Sequence, residues 1–392
     1  MGKSYDGNIL LVSNYPSDVG YAWWLMEHFW VSLSKQFEQL SNMAFLAYPS
    51  VKAVPDAIEN SNIEVVELTV PGSTKAEREK LKHFIKSNHI AHIYFTDRPW
   101  FNISYLTLRS YGIQNIVVHD HTPGDRPPIR GIKGLVKAAR NRLPLACADT
   151  QFCVSELMRQ RSIQNARIPH RRCITVQNGT PPIQGNQEQR DAARKALGIS
   201  DNAVVCVTTG RAHPYKRFDF IIEVASEVSK RNQEHKLVFL LIGDGPMLPE
   251  LRSNIERLDL TTSVKLLGFR SDARELLAAA DVAIHAALGE GFSLSIVEYM
   301  SAGLPVLVPN IPSVKQAIDH EINGFVFGEN DVDSAAYFMR KLAADIHLRS
   351  AMGKNAKNKA IRDFSLVSCT ESFERACNRA FFTHSSKSQP YL

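Results

Sequence analysis

Short apolar runs separated by helix-length amphipathic stretches recur along this chain, and the same alternation starts again after an interruption. In the first half, Asn8 to Ser13, Met43 to Ala47, Ile63 to Leu68, Ile90 to Thr96, Ile116 to Val118 and Gln151 to Val154 read as strands. Parallel strands need a crossover of a dozen or more residues, usually a helix, so the alternation predicts a parallel sheet wrapped by helices. The stretch Asn178-Gly179-Thr180-Pro181-Pro182, followed by polar residues from Gln184 to Gln189, breaks the pattern and predicts an interdomain hinge. Strands resume at Val204 to Thr208, Leu237 to Ile242, Val264 to Leu267, Val282 to His285, Pro305 to Val308 and Gly324 to Phe327. The expected architecture is α/β, with two doubly wound Rossmann-like domains at residues 1–182 and 183–365 facing a central cleft. Open sheets of this kind bind ligands at the carboxyl ends of their strands. Residues 366–392 are expected to form a helix, about Leu366 to Phe382, that crosses back to the first domain and ends in a frayed tail from Thr383.

A chain of 392 residues, 44% apolar and 22% charged, is large enough for two such cores. Its six cysteines show no CxxC spacing and no zinc-type pairing with histidine. Together with an opening segment that reads as neither a signal peptide nor a membrane span, this predicts a cytoplasmic protein with reduced thiols. No apolar run reaches spanning length, so any membrane contact is expected to be peripheral, at the inner face. Charge is distributed unevenly: residues 1–180 carry 21 Lys and Arg against 15 Asp and Glu, whereas 181–392 carry 25 of each. Much of the excess lies in Arg126, Arg130, Lys133, Lys137, Arg140 and Arg142, spaced to stripe one side of a helix. Such a stripe attracts phosphate, on a lipid-linked acceptor, a headgroup surface or nucleic acid. The plain alternative is a solvated helix face.

Two segments of the second half carry candidate chemistry. Gly210-Arg211-Ala212-His213-Pro214-Tyr215-Lys216-Arg217 follows a strand and enters a helix from about Phe218 to Lys230. Cations at the positive end of a helix are unfavourable unless an anion joins them, so Arg211, Lys216 and Arg217 suggest an anion site able to neutralise a diphosphate. Exposed loop cations are the alternative. The second segment is Gly289-Glu290-Gly291-Phe292-Ser293-Leu294-Ser295-Ile296-Val297-Glu298, with a helix starting around Ser293 to Ser295 and stopped by Gly303. Free amides after Gly291 suit phosphate oxygens. Helical side chains lean toward the amino end, so Glu298 can reach the pocket bordered by Glu290 and accept hydrogen bonds from sugar hydroxyls. Against this, Ser295-Ile296-Val297-Glu298 also fits a capping box that would merely close the helix start.

These segments occur in order with Gly243-Asp244-Gly245-Pro246, Leu267-Gly268-Phe269-Arg270, Val154-Ser155-Glu156 and Asn178-Gly179. The combination resembles the family 4 retaining glycosyltransferases of GT-B fold, strongly from about Gln151 to Ser365 and weakly before that. The resemblance implies that Arg211 and Lys216 contact the diphosphate of a nucleotide-sugar donor and that Glu298 holds the ribose. It places Glu290 beside the transferred sugar, backbone groups at Phe269 and Arg270 on the base, and amides from Gly291 through Phe292, Ser293 and Leu294 at the phosphates. It further implies transfer with retained configuration, no metal and no other cofactor, through a same-face displacement in which the leaving phosphate helps deprotonate the acceptor.

In the first half, Asn115 to Val118 leads into His119-Asp120-His121-Thr122-Pro123-Gly124. The resemblance places a histidine near the reaction centre here, with His121 favoured by counting along the strand and His119 the alternative. A polar turn capped by Asp120 is the structural reading, and a metal reading of His-x-His lacks further ligands. Relatives carry paired glycines in the first loop, where this chain has Gly20 alone, still a candidate for close approach to the ligands. Trp23, Trp24, Phe29 and Trp30 read as packing residues, and Asp331-Val332-Asp333 as a helix entrance rather than a metal site.

The expected partners are a nucleotide-sugar donor, a glycan or phosphate-bearing lipid-linked acceptor and an anionic membrane surface, with interdomain closure assembling the site and no nucleic acid bound. Two other classes compete: a nicotinamide-dependent oxidoreductase, which shares the architecture but for which no GxGxxG follows the first strand, and a basic module binding nucleic acid or membrane, which leaves the donor segments unexplained.

Overall fold

The computed structural model describes residues 7–18, 24–124, 127–231 and 236–382. The chain divides into two compact units, the first comprising residues 1–122, 126–177 and 369–392 and the second residues 123–125 and 178–368. In the first unit seven parallel strands, β1 (Asn8–Val12), β2 (Ala44–Tyr48), β3 (Ile63–Glu67), β4 (Ile90–Thr96), β5 (Asn115–Asp120), β6 (Thr150–Cys153) and β7 (Cys173–Thr175), lie in the order β3-β2-β1-β4-β5-β6-β7. In the second, six parallel strands, β8 (Val204–Thr209), β9 (Leu237–Ile242), β10 (Val264–Gly268), β11 (Val282–Ile284), β12 (Val306–Pro309) and β13 (Gly324–Phe327), lie in the order β10-β9-β8-β11-β12-β13. Both are doubly wound Rossmann-type sheets. Each reverses its strand order between its first and fourth strands, and crevices open there at the carboxyl ends.

Helices cover both faces, so the central strands are buried along their length and mainly apolar rather than alternating. Every residue of β4, β8 and β9 is buried, and the side chains of Leu10, Phe95 and Val118 in one unit and Phe239, Ile284 and Phe325 in the other fill the cores. Strand β7 was not anticipated, because three residues are too few to show a pattern.

The helix Leu366–Cys377 leaves the second unit, and from Cys369 onward the chain belongs to the first. Phe373 stacks on Phe29 at 4.4 Å between ring centroids, and Asn115 donates to the Ala380 carbonyl at 2.7 Å. Phe29 and Trp30 are buried within helix Trp24–Glu38, as packing residues should be. Trp23, Gly20, Arg126 and the tail from Thr383 lie outside the described residues. All six cysteines are buried and none forms a disulfide. No described helix is long and apolar enough to cross a membrane. Asp331 accepts from the Ser334 amide at 2.9 Å, capping helix Val332–Ala344.

Candidate functional site

Strands β8 and β11 flank the point where the order of the second sheet reverses, and the loops leaving them converge. Beyond β8 the chain turns through Gly210 to Arg217. This turn is held by the GDGP segment: the Gly210 amide donates to Ile242 and the Ala212 amide to Asp244. A Cβ at Gly243 would lie 1.7 Å from the Gly210 carbonyl oxygen, and one at Gly245 2.3 Å from that of Ala212. Only glycine permits that approach, which explains the motif as the support of the basic turn.

Lys216 ends the short 3-10 turn Pro214–Lys216 and places its ammonium 2.5 Å from Glu290 Oε1, with each side chain only 12% exposed. His285, the first residue past β11, puts Nε2 2.9 Å from the same oxygen and 3.3 Å from the Ser293 hydroxyl. Burial raises the Glu290 carboxyl, but Lys216 and the His285 hydrogen bond outweigh it and pull the pKa down to about 2. Burial lowers the His285 pKa, and although the bond to Glu290 opposes this, the charge of Lys216 adds to it and the net shift is downward, so the neutral ring is favoured and donates to the carboxylate. His285 escaped the sequence reading because it looked like the last residue of a strand.

Helix Leu294–Ser301 begins four residues beyond Glu290, with Ser293 at its cap position and no side-chain cap bond. Its start excludes the capping-box alternative for Glu298, which lies two residues too far along the helix to reach back to the cap amide. Instead Glu298 Oε1 lies 3.6 Å from Arg274, whose other amino group donates to the Pro181 carbonyl. Burial raises the Glu298 pKa, and Arg274 opposes the rise. Tyr299 fixes the helix to the sheet by accepting the Thr209 amide at 2.5 Å, which locks Glu298 and the basic turn into one frame. Gly291, Phe292 and Ser293 are buried at the amino end of the helix, and Leu294 is half-buried.

The remaining cations diverge. Arg211 is exposed, and its guanidinium has no hydrogen bond or ion pair among the described residues. Arg217 is engaged apart from the Lys216–Glu290 pair: it adopts φ 54°, donates to the Glu329 carbonyl and to Asn330 and lies over the Phe220 ring. At the end of β10, Phe269 is 64% exposed, and Arg270 clasps Asp272 with two bonds of 2.7 and 2.5 Å, which leaves its side chain engaged.

In the first unit the two histidines part ways. His119 is fully buried, with Nδ1 2.6 Å from the Tyr94 hydroxyl and Phe29, Phe152 and Phe373 around it. His121 lies just past β5, where Asp97 accepts both its amide (2.7 Å) and its Nδ1 (3.2 Å). Asp97 has φ 54° at the end of β4, a strained conformation that aims its carboxylate at His121. Burial raises the Asp97 pKa, but the bonds from His121 outweigh it and the net shift is downward. The sequence reading missed Asp97. Asp120 accepts the Thr122 amide, as a polar turn requires, and also pairs with Arg161 at 3.4 Å. Beside it, a cavity of about 280 Å3 is lined by Asp97, Arg98, Lys137 and Arg140 among others. Among the described residues no group of three or more His, Cys, Asp or Glu could hold a metal.

Two switch-point sheets, one bearing a basic turn and a paired carboxylate at a helix amino end, define a protein of GT-B fold. Residues 189–359 match the family model described as glycosyl transferases group 1. The chain is 30% identical over 220 residues to the Escherichia coli UDP-Gal:alpha-D-GlcNAc-diphosphoundecaprenol alpha-1,3-galactosyltransferase, covering 56% of this chain and 55% of the relative. The chain spans about half the length of the curated relatives it matches. Among solved structures, a glycosyltransferase from Rickettsia africae superposes with a TM-score of 0.76 at 16% identity, covering 96% of this chain and 99% of that one. Anabaena HepE, solved in complex with UDP, superposes with a TM-score of 0.73 at 20% identity, covering 95% of this chain and 100% of its own.

Proposed function

We propose that the protein is a family 4 retaining glycosyltransferase that takes a sugar from a nucleotide-diphosphate donor held by the second unit and passes it to an acceptor bound by the first. The observation that carries this reading is the cluster at the switch point of the second sheet, where Lys216, Glu290 and His285 meet at the amino end of the helix bearing Glu298. A nucleoside diphosphate fits it. Arg211 has a guanidinium able to clasp phosphate, Lys216 adds a point charge, and the helix amino end adds backbone amides. Glu298, kept near Arg274, accepts the ribose hydroxyls, and Glu290 faces the sugar. The base rests against the backbone at Phe269 and Arg270. UDP is the favoured nucleotide, because HepE was solved with UDP and with UDP-glucose and the Escherichia coli relative is named for UDP-Gal.

In the reaction the bond between the anomeric carbon and the diphosphate oxygen breaks with its electron pair leaving on the phosphate. The acceptor hydroxyl forms its new bond on the face the diphosphate is leaving, and its proton passes to a departing phosphate oxygen. The main electrostatic task is stabilising that oxygen, and Arg211 and Lys216 supply positive charge there without a metal. His121, oriented by Asp97, is the residue suited to hydrogen-bond the sugar or acceptor. His119, enclosed by aromatic rings, supports it from behind. The acceptor is a glycan or a phosphate-bearing lipid-linked saccharide, in line with the diphosphoundecaprenol named for the Escherichia coli relative, in the assembly of cell-surface polysaccharide or glycolipid.

The test is donor turnover and nucleotide binding in Arg211→Ala and Glu298→Ala. Loss of one preorganised donor to a developing oxyanion costs about 10²- to 10³-fold in rate, so the expected result is a fall of that size for Arg211→Ala, together with loss of the UDP-induced rise in melting temperature for Glu298→Ala. Full turnover of UDP-sugars in both variants would overturn the assignment.

A further inference from the structure

At the switch point of the first sheet one carboxamide ties the end of β1 to the end of β4. Asn14 follows β1 by two residues, and its Nδ2 donates to the carbonyls of Thr96, the last residue of β4, and of Asp97, the latter at 3.3 Å. An amide nitrogen carries two hydrogens, so both bonds form together, and two carbonyl partners fix which way the group points. The turn held in this way is strained: Asp97 has φ 54°, a left-handed conformation that a residue with a side chain enters only at a cost. The Asp97 amide in turn donates to the His119 carbonyl at 2.8 Å, which anchors the turn to β5.

The effect of Asn14 reaches His121 through Asp97. One oxygen of the Asp97 carboxylate takes both the His121 amide and Nδ1, and a carboxylate only accepts, so in the neutral ring the proton sits on Nδ1 and Nε2 keeps its lone pair. His121 Nε2 is buried with no hydrogen-bond partner among the described residues, and the same holds for Asn14 Oδ1. Both atoms are acceptors. A buried acceptor left unpaired is unfavourable, and a substrate hydroxyl supplies the missing donor where an ionised phosphate cannot. An amide serving only to close the fold would pair its oxygen as well as its nitrogen; here the nitrogen bonds twice and the oxygen has no partner among the described residues.

We propose that Asn14 is a positioning residue for sugar transfer: its amide holds the Asp97 turn, the Asp97 carboxylate holds the His121 proton on Nδ1, and Nε2 is thereby presented as an acceptor to a hydroxyl of the donor sugar or of the acceptor saccharide. The tie from Asn14 through Asp97 to His121 lies within the first unit. Only the hydroxyl that Nε2 meets rests on the glycosyltransferase reading.

The test compares, in the full chain, Asn14→Ala, Asn14→Asp, which keeps the size and removes the donor, and Asp97→Ala. In NMR spectra of the histidine ring nitrogens, with the His121 signal identified by its loss in His121→Gln, the wild type should show the proton on Nδ1 and both Asn14 variants a mixture of the two tautomers. Release of UDP from UDP-glucose should fall in both Asn14 variants, by no more than the about tenfold that loss of the His121 hydrogen bond produces, while the UDP-induced rise in melting temperature is kept. In an Asp97→Ala background Asn14→Ala should cost no further rate, because both act through one carboxylate. A fall with water as the only acceptor assigns the hydroxyl to the donor sugar, and a fall seen only with a diphosphate-linked GlcNAc lipid added assigns it to the acceptor. An unchanged His121 tautomer in both Asn14 variants, unchanged rates, or equal losses from Asn14→Ala with and without Asp97 would overturn the proposal. Absence of UDP-glucose turnover in the wild type would count against the proposed function instead, and the tautomer then decides the role of Asn14 without it.

Discussion

Replacing Lys216 by methionine should destabilise the second unit more than any other change to the basic turn. The substitution keeps the aliphatic stem and leaves the Glu290 carboxylate buried without its ammonium partner 2.5 Å away. The native carboxyl stands at about 2 against an ordinary 4.5, which corresponds to about 3 kcal/mol of favourable interaction. Breaking a buried pair on one side costs a similar amount, about 3 to 5 kcal/mol, and the remaining His285 bond favours the lower end. In a unit of this size each kcal/mol moves the melting temperature by about 2 to 4 °C, so a fall of about 6 to 12 °C is expected in calorimetry at pH 7. The pH dependence fixes the cause. In the wild type the folded pKa of Glu290 is depressed, so its stabilisation is present above about pH 4.5 and lost as pH falls toward 2. In Lys216→Met burial is opposed by His285 alone, itself released from the lowering charge of Lys216, so the folded pKa of Glu290 moves up, and the penalty present at neutral pH fades as His285 and the carboxyl take up protons. The gap between the two proteins should therefore narrow steadily from pH 7 to pH 3, and Lys216→Met/Glu290→Gln should recover part of the loss at pH 7. A variant as stable as wild type, or a gap of constant size across that range, would refute the argument.

Arg274→Gln should sensitise donor binding to acid: burial already raises the Glu298 pKa, and removing the opposing Arg274 raises it further, so as pH is lowered the KM for a UDP-sugar should begin to climb at a higher pH in the variant than in the wild type. Matching KM profiles would count against Arg274 as the residue that positions Glu298. Gly245→Ala should cost about 1 to 3 kcal/mol in thermal unfolding, because its methyl would be forced against the Ala212 carbonyl and displace the basic turn. His121→Ala should lower kcat about tenfold, the worth of one hydrogen bond, while the UDP-induced thermal shift is retained; loss of that shift would place His121 with the nucleotide instead.

The candidate donor residues were legible because each belongs to a local segment. Glycines at 243 and 245 are required wherever one backbone presses on another, and a helix start after Gly291 is written in the residues that follow it. Glu298 could not be resolved in this way. Its spacing fits a capping box, and only the helix start at Leu294 shows that its carboxylate faces Arg274 instead. Arg217 and Lys216 are neighbours in sequence with identical charge, yet a left-handed residue at 217 turns one toward Asn330 while the other meets Glu290.

By itself the sequence determined the class of fold, since a run of buried strands spaced by helices can close only into parallel sheets, and it determined which short segments leave those strands. The partners of each charged group were decided by the tertiary structure. His285, Asp97 and Arg274 come from three different loops, and their roles depend on distances of about 3 to 4 Å that residue spacing does not encode. The direction of helix Gly131–Arg140 was decided in the same way: its periodicity records an apolar face, but which side meets the body depends on where Gly134 lets the backbone rest.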